Sequence, residues 1–246
     1  MPDSQHFSHT TAALIHGIPL PFAVENATPL HVSADQSVGF PRARGVVGHH
    51  SGQSTTVESR QGLRVSSPVD CWCEIATLLR TDDLVAAGDF LVTGDEPLSA
   101  VPPLATLSDL ELAVEARAGR RGIRRLSEAF LLVRYGSLSR METLTRLLIV
   151  RAGLPEPLLN FTLADRAGGF VAMLDLAFPE WKVGIEYQGD VHREKERFRR
   201  DITRRERIED QGWTVIYVSA DDILRHHPLQ TIERIRRRLR ARGARV

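Results

Sequence analysis

The stretch of residues 170–192 constrains the fold of this chain more than any other. On both sides of a short turn containing Pro-Glu, apolar side chains recur with a period of two, and aromatic and branched residues are frequent. Such alternation is typical of two antiparallel strands joined by a tight connection. A four-residue loop would pair Phe178 with Val183, and the same register would place Asp175 directly opposite Glu186. The alternation also predicts that one face of the first strand is formed by Phe170, Ala172, Leu174, Leu176 and Phe178.

Asp175 and Glu186 form a candidate metal site. Directly opposed residues of an antiparallel pair have Cβ atoms roughly 4.5–5.5 Å apart, and like charges at that spacing destabilise the pair. Two carboxylates so placed need either a shared proton or a cation. Because Mg²⁺ is bound through a few carboxylates and its own waters, the pattern predicts Mg²⁺, or Mn²⁺, as the cofactor.

The same residues resemble the active site of the PD-(D/E)xK nuclease superfamily. The fuller string, D-L-A-F-P-E-W-K-V-G-I-E-Y-Q-G-D-V-H, is similar to uncharacterised domains related to very-short-patch repair endonucleases. In that branch an Arg-rich helix and a strand beginning Gly-Trp follow, as residues 193–210 and 212–218 do here. The lysine position of the superfamily holds Gln188 in this chain, and the usual acidic residue of the branch has moved to Asp190.

The resemblance implies an α/β fold for residues 137–246. This would be a restriction-endonuclease-like core in the order α-β-β-β-α-β-α, with a mixed sheet flanked by helices. A small α+β region at residues 1–100 and a helical linker at residues 101–136 would precede it. The implied function is metal-dependent hydrolysis of the phosphodiester bonds of DNA. Two alternatives stay open: an inactive nuclease fold acting as a DNA-binding or antitoxin-like regulatory module, and an interaction protein whose basic helix binds a protein partner.

The resemblance also assigns roles to individual residues. Asp175, Glu186 and the backbone carbonyl of Tyr187 would hold the metal. Gln188 would orient the attacking water, and His192 would shuttle a proton or contact a phosphate. The implied catalytic set is Glu142, Asp175, Glu186, Gln188 and His192.

Glu142 has two interpretations that the sequence leaves open. It stands three residues after Ser139, in the capping-box pattern that satisfies the first amides of a helix. In the nuclease superfamily, a helix at this point instead contributes an acidic residue to the metal site.

Basic residues are concentrated in the C-terminal part of the chain. Residues 1–136 contain 11 Lys and Arg against 15 Asp and Glu, a net charge of −4, and residues 137–246 contain 21 against 16, a net of +5. This asymmetry indicates a polyanion as the partner of the second part. On the helix predicted after the site, arginines at steps of three and four residues form a stripe suited to DNA phosphates. They are Arg193, Arg197, Arg200 and Arg204.

The first part of the chain resembles the region of AbiEi-type antitoxins that follows their winged helix. The run S-H-T-T-A-A-L-I-H-G-I-P-L-P carries the resemblance, with V-S-S-P-V-D-C-W and D-L-V-A-A-G-D-F behind it. No counterpart of the winged helix precedes this run in the sequence. The resemblance implies a homodimer contact or a protein partner through this region.

Several other features predict no chemistry. The isolated or adjacent histidines are more typical of structural positions, and a C-x-C pair without two further ligands indicates packing. There is no P-loop, dinucleotide glycine fingerprint, nucleophile elbow or H-E-x-x-H, which excludes the function classes that depend on them. No apolar run reaches the length of a membrane span and no leader pattern opens the sequence, so we expect no membrane contact and a cytoplasmic location. The residues left without a role are His9, His16, His49, His50, Cys71 and Cys73.

Overall fold

The computed structural model describes residues 2–26, 29–39, 41–52, 55–189, 195–225 and 227–246, with residues 195–201 described as backbone only. The chain divides into two compact units, Met1–Tyr135 and Gly136–Val246. Each unit contains a mixed β-sheet with helices packed against it, which confirms the predicted α/β class. Among the helices described, none combines the length and the apolar character that crossing a membrane would need.

In the described part of the first unit, five strands form a sheet in the order β3-β2-β1-β5-β4. The central strand β1 runs antiparallel to β2 and parallel to β5, while β2 runs parallel to β3. Residues far apart in the sequence therefore meet on β2 and β3. The strands are β1 (Gln5–Phe7), β2 (Leu30–Ala34), β3 (Val46–His50), β4 (Val57–Arg60) and β5 (Leu63–Ser66).

Some of the helix ends in the first unit follow local sequence signals. The first one ends at Gly17, whose φ of 77° is in the left-handed region that glycine adopts without strain. The third begins after Ser67, whose side chain accepts from the Asp70 amide. Residues 101–135 belong to this unit. The helices are α1 (His9–His16), α2 (Phe22–Glu25), α3 (Pro68–Ile75), α4 (Thr81–Thr93), α5 (Glu96–Ser99), α6 (Leu107–Ala116) and α7 (Ile123–Phe130).

The sheet of the second unit, as far as its residues are described, has four strands in the order β6-β7-β8-β9. The first three form an antiparallel meander, and β9 returns parallel to β8 after a crossover helix. The described elements follow the predicted order, with a 3-10 turn (Pro179–Trp181) between β7 and β8 and a short α-helix near the end added to it. They are α8 (Arg140–Arg151), β6 (Leu158–Ala164), β7 (Phe170–Phe178), β8 (Val183–Tyr187), α9 (Lys195–Asp210), β9 (Thr214–Val218), α10 (Ala220–Leu224) and α11 (Pro228–Ala241).

The predicted register of the β7–β8 hairpin is confirmed. Phe178 pairs with Val183, and the ladder continues to Leu176 and Ile185. Lys182 closes the connection in a left-handed conformation, with φ of 52°. The next position on each strand is that of the predicted carboxylate pair.

The predicted alternation along β7 is wrong at one point. Residues two apart in a strand point to the same face, yet Leu176 packs in the core formed with α8, α10 and α11, whereas Leu174 packs in the core formed with α9. The same change separates Leu159 from Phe161 on β6. Asn160 lies between these two residues and has a left-handed φ of 44°. Along the β6–β7 pair, the side chains that point to the core with α9 and those that point to the other core therefore swap between even and odd positions at one distorted residue, Asn160.

Candidate active site

The three predicted acidic residues come from three elements of the second unit. Glu142 lies in the first turn of α8, Asp175 near the middle of β7 and Glu186 on β8. Glu142 is 7% exposed and Glu186 is 8% exposed. Burying an ionised carboxylate costs free energy unless hydrogen bonds or a positive charge compensate for it. The contacts of each carboxylate are therefore described in turn.

Asp175 reaches across to the neighbouring strand. Its Oδ2 accepts a hydrogen bond of 2.8 Å from the backbone N–H of Tyr187, the residue that follows Glu186. Burial raises the pKa of Asp175, while this hydrogen bond and the positive charge of Arg204 act in the opposite direction. The site thus holds Asp175 beside the end of β8, close to the other strand carboxylate.

The carboxylate of Glu142 does not complete the capping box that the sequence pattern allowed. The Ser139 hydroxyl caps the amide of Glu142, but the Glu142 carboxylate accepts from Leu138 N–H at 2.9 Å instead of from the Ser139 amide. The same Oε2 accepts from Asn160 Nδ2 at 3.1 Å. Burial first, and the negative charge of Asp175 second, raise the pKa of Glu142 to about 7. Glu142 therefore closes the start of α8 and belongs electrostatically to the acidic site.

Asn160 is a site residue that the sequence reasoning missed. It lies opposite Asp175, since Leu159 pairs with Leu176 and Phe161 with Leu174. Its side-chain amide donates to Glu142 and also to the carbonyl of Gly136. The signal in the sequence was a lone asparagine within an apolar strand, because asparagine tolerates the left-handed conformation better than most residues do.

The guanidinium of Arg204 is a positive charge that lies at the acidic site. Its Nη1 donates to Glu186 Oε2 at 2.7 Å, and its Nη2 donates to the Met173 carbonyl at 2.7 Å. The side chain is 37% exposed, so solvent still reaches part of the guanidinium. We predicted Arg204 as a contact to DNA phosphates, and that role stays a prediction. In the structure its guanidinium lies on the Glu186 carboxylate.

The other predicted site residues are described only in part. Gln188 directly follows β8, and its backbone N–H donates to the carbonyl of Val218 at 2.7 Å. Asp190, His192 and Arg193 lie outside the described residues. The two remaining stripe residues, Arg197 and Arg200, lie on α9 where only the backbone is described.

A cleft of about 660 Å³ opens beside Arg204. One wall is formed by residues 170–173 of β7, and the other by Thr203, Arg204 and Arg207 of α9. Arg207 donates to the Phe170 carbonyl at 2.9 Å and so ties the two walls together. The cleft is therefore apolar along β7 and basic along α9.

The distances between possible metal ligands differ between the two units, among the residues described. Among the residues that the structure describes, the carboxylates of the second unit include no trio whose ligand atoms all lie within 4.8 Å of one another. Such a trio does exist among the described residues of the first unit, formed by three histidines that the sequence gave no role. They are His9, His31 and His49.

Comparison with known proteins identifies two relatives, neither of which has a described activity. Two uncharacterised proteins from Mycobacterium tuberculosis, MT2308 and Rv2248, are each 30% identical to this chain over 236 residues. The match covers 95% of this chain and 81% of each relative, so it spans both units. No model of a protein family matches the chain, and neither does any solved structure.

Proposed function

This chain belongs to the same family as the Mycobacterium tuberculosis proteins MT2308 and Rv2248, and we propose that its second unit hydrolyses phosphodiester bonds of DNA with a divalent metal ion. The observation that carries the proposal is that three acidic residues from three elements interact at one place: the charge of Asp175 acts on Glu142, and Arg204 acts on Asp175 and bonds Glu186. Buried acidic groups with raised pKa values are a frequent mark of functional sites.

The charges of the site fit a divalent cation. When ionised, the three carboxylates carry three negative charges, and Arg204 returns one positive charge. The remaining two negative charges are what Mg²⁺ or Mn²⁺ would neutralise, and carboxylate oxygens are the ligands that these ions prefer. Burial raises the pKa of Asp175, and burial followed by the charge of Asp175 raises the pKa of Glu142, so a bound cation would favour the ionised form of both carboxyls.

The residues present would divide the chemistry among them. Asp175 and Glu186 would hold the ion with the Tyr187 carbonyl, and Glu142 would add negative charge beside them. The bound ion would lower the pKa of a water and stabilise charge on the scissile phosphate. Gln188 would orient that water by hydrogen bonding, without the positive charge that a lysine brings. His192 is the predicted proton shuttle.

The topology supports a restriction-endonuclease-like core for this unit. Helix α8 is followed by the antiparallel strands β6, β7 and β8, then by the crossover helix α9 and by β9 parallel to β8. Asp175 lies on the second strand and Glu186 on the third, which is the order of acidic residues that the resemblance implies.

The surroundings of the site support a nucleic acid as substrate. The cleft beside Arg204 has basic residues along its α9 wall and a volume of about 660 Å³, which is sufficient for one nucleotide unit. Residues 137–246 carry a net charge of +5. Positive charge of this kind supplies affinity for phosphates that does not depend on sequence.

A second function is favoured by one specific observation. Arg204 already pairs with Glu186, and Gln188 stands at the lysine position of the superfamily. A site partly neutralised by its own arginine, with its buried carboxyls protonated, can persist without metal, as an inactive nuclease fold that binds DNA or regulates a partner.

Cleavage and binding assays on the full-length protein separate the two functions. Single- and double-stranded DNA and RNA are incubated with Mg²⁺, with Mn²⁺, or with a chelator. Metal-dependent cleavage of DNA supports the nuclease. Salt-sensitive DNA binding without cleavage supports the regulatory module, and the absence of both contradicts both proposals.

A further inference from the structure

A cluster of three histidines lies in the first unit. His9 begins α1 directly after β1, and His31 and His49 lie on the parallel strands β2 and β3. His31 pairs with Val47, whereas His49 pairs with Ser33, two positions further along the ladder. Because alternate residues of a strand share a face, the two strand histidines point to the same side of the sheet. The start of α1 packs over this side and adds the third ring.

The three rings lie close enough to share one small ligand. Their ligand nitrogens are all within 4.8 Å of one another, and His31 Nδ1 lies 2.9 Å from His49 Nε2. The ring of His9 stacks on that of His49, with centroids 3.7 Å apart. All three side chains are half-buried, so the cluster can be reached from solvent. Burial also lowers the pKa of each ring, to about 3 for His9 and about 4 for His49, and neutral imidazole is the form that binds metals.

Glu74 holds His9 in place. Its Oε2 accepts from the backbone N–H of His9 at 2.9 Å and lies 3.9 Å from His9 Nδ1. His9 has a left-handed φ of 51°, which is uncommon for a residue other than glycine and needs such a fixed partner. His9 Nδ1 also faces the Ser8 hydroxyl at 3.1 Å, which leaves Nε2 as the nitrogen available for a ligand. Glu74 thus fixes the backbone of His9, while the Ser8 hydroxyl fixes the orientation of its ring.

We infer that His9, His31 and His49 bind a divalent transition-metal ion of the Zn²⁺ class. Three imidazole nitrogens and one open position form the tetrahedral arrangement typical of zinc sites that also bind water or a substrate. Nitrogen donors favour Zn²⁺, Co²⁺ or Ni²⁺ over Mg²⁺, which prefers oxygen. This site does not depend on the proposed nuclease function, because it lies in the other unit and uses other donor atoms.

Small movements are sufficient to form the site. With Zn–N distances of about 2.0–2.1 Å, two nitrogens on a tetrahedral ion are about 3.3 Å apart. The ligand nitrogens of the cluster all lie within 4.8 Å of one another, with 2.9 Å between His31 Nδ1 and His49 Nε2, so shifts of about 1–2 Å are sufficient. The rings now stack with interplanar angles of 13–27°, and binding requires them to turn about χ2 until their lone pairs converge. The backbone of β2 and β3 can stay in place.

Metal content of the untagged full-length protein tests the inference. The protein is stripped with a chelator, reloaded with Zn²⁺ in the presence of a large excess of Mg²⁺, dialysed, and analysed for metal. We expect one Zn²⁺ per chain. With Co²⁺ instead, we expect the intense visible absorption of a tetrahedral ion. A parent protein that retains no Zn²⁺ after dialysis would overturn the inference.

Substitutions locate the ion. His31→Ala and His49→Ala should each reduce the bound Zn²⁺ at least tenfold and remove the Co²⁺ spectrum. The matched control is His50→Ala, because His50 is the exposed neighbour of His49 at the end of β3 and should leave both readouts unchanged. Circular dichroism checks that each variant is folded, and His49→Gln replaces any alanine variant that is not. Zn²⁺ bound equally by the folded His49 variant and the parent would show that the cluster is not the site.

Discussion

The guanidinium of Arg204 donates a hydrogen bond of 2.7 Å to the Glu186 carboxylate and a second one, also of 2.7 Å, to the Met173 carbonyl. It therefore links the crossover helix α9 to both strands of the β7–β8 hairpin. The positive charge of Arg204 also counteracts the raised pKa of Asp175. In the proposed enzyme this arginine shares the acidic site with a metal ion, and in a metal-free protein it is the main counter-charge.

Removing the positive charge of Arg204 should make the stability of the second unit more dependent on a bound metal ion. We expect Arg204→Gln to lower the free energy of unfolding without metal by about 1 kcal/mol, a modest value because Arg204 is more than a third exposed. Mg²⁺ should then raise the melting temperature of the variant by more than that of the parent. Thermal unfolding with and without Mg²⁺ measures both effects.

The matched control for this experiment is Arg166→Gln. Arg166 lies exposed in the β6–β7 connection, away from the carboxylates, and should behave as the parent does. An Arg204 variant that has the same stability and the same response to Mg²⁺ as the control would mean that Arg204 does not balance the acidic site.

Glu142 should make the stability of the protein depend on pH. Burial, and then the charge of Asp175, raise its pKa from 4.5 to about 7 on folding. Between these values the folded state binds more protons than the unfolded state does, so stability falls as the pH rises. Relative to Glu142→Gln, the free energy of unfolding of the parent should fall by up to about 3 kcal/mol between pH 4.5 and pH 8.

Urea unfolding of the parent and of Glu142→Gln across this pH range measures the effect. Saturating Mg²⁺ should reduce it, because the ion favours the ionised carboxylate. A difference between the two proteins that is constant with pH would show that Glu142 keeps an ordinary pKa and takes no part in the acidic site.

The arginines of α9 should govern the salt dependence of DNA binding. The logarithm of the affinity is expected to fall against the logarithm of salt concentration with a slope of about −0.9 for each phosphate neutralised on a duplex. Replacing Arg197 and Arg200 by alanine should flatten this slope by up to about two units if each neutralises one phosphate. Titration of a labelled duplex at several salt concentrations gives the slope. The control is the double alanine variant of Arg237 and Arg238, which are exposed on α11. Equal slopes for the two double variants would show that the arginines of α9 have no special role in DNA binding.

The hairpin and the helix ends could be predicted from the sequence because the forces that set them are local. The turn length and the alternation decided that Phe178 pairs with Val183. Ser139 caps α8 and Gly17 ends α1 through contacts within a few residues of each one. Such signals are present in any short stretch of chain, whatever surrounds it.

Other parts of the fold depend on packing that the sequence does not display. The exchange of faces between Leu174 and Leu176 coincides with the left-handed Asn160, which is on another strand. The contact between Arg204 and Glu186 depends on how α9 lies against the sheet. The histidine trio exists only because β2 and β3 run parallel side by side, which joins His31 to a residue eighteen positions away.

The central claim concerns Asp175, and one comparison tests it most directly. Asp175→Asn keeps the size of the side chain and an oxygen that can accept from the Tyr187 amide, but it removes the negative charge needed to hold a metal. The control is Glu180→Gln, an exposed carboxylate in the turn of the same hairpin. We expect the parent and the control to cleave DNA with Mg²⁺ or Mn²⁺. The Asp175 variant should be at least about 100-fold slower, since a metal contributes several kcal/mol to such a reaction. Cleavage by the folded Asp175 variant at the rate of the parent would contradict the proposed active site.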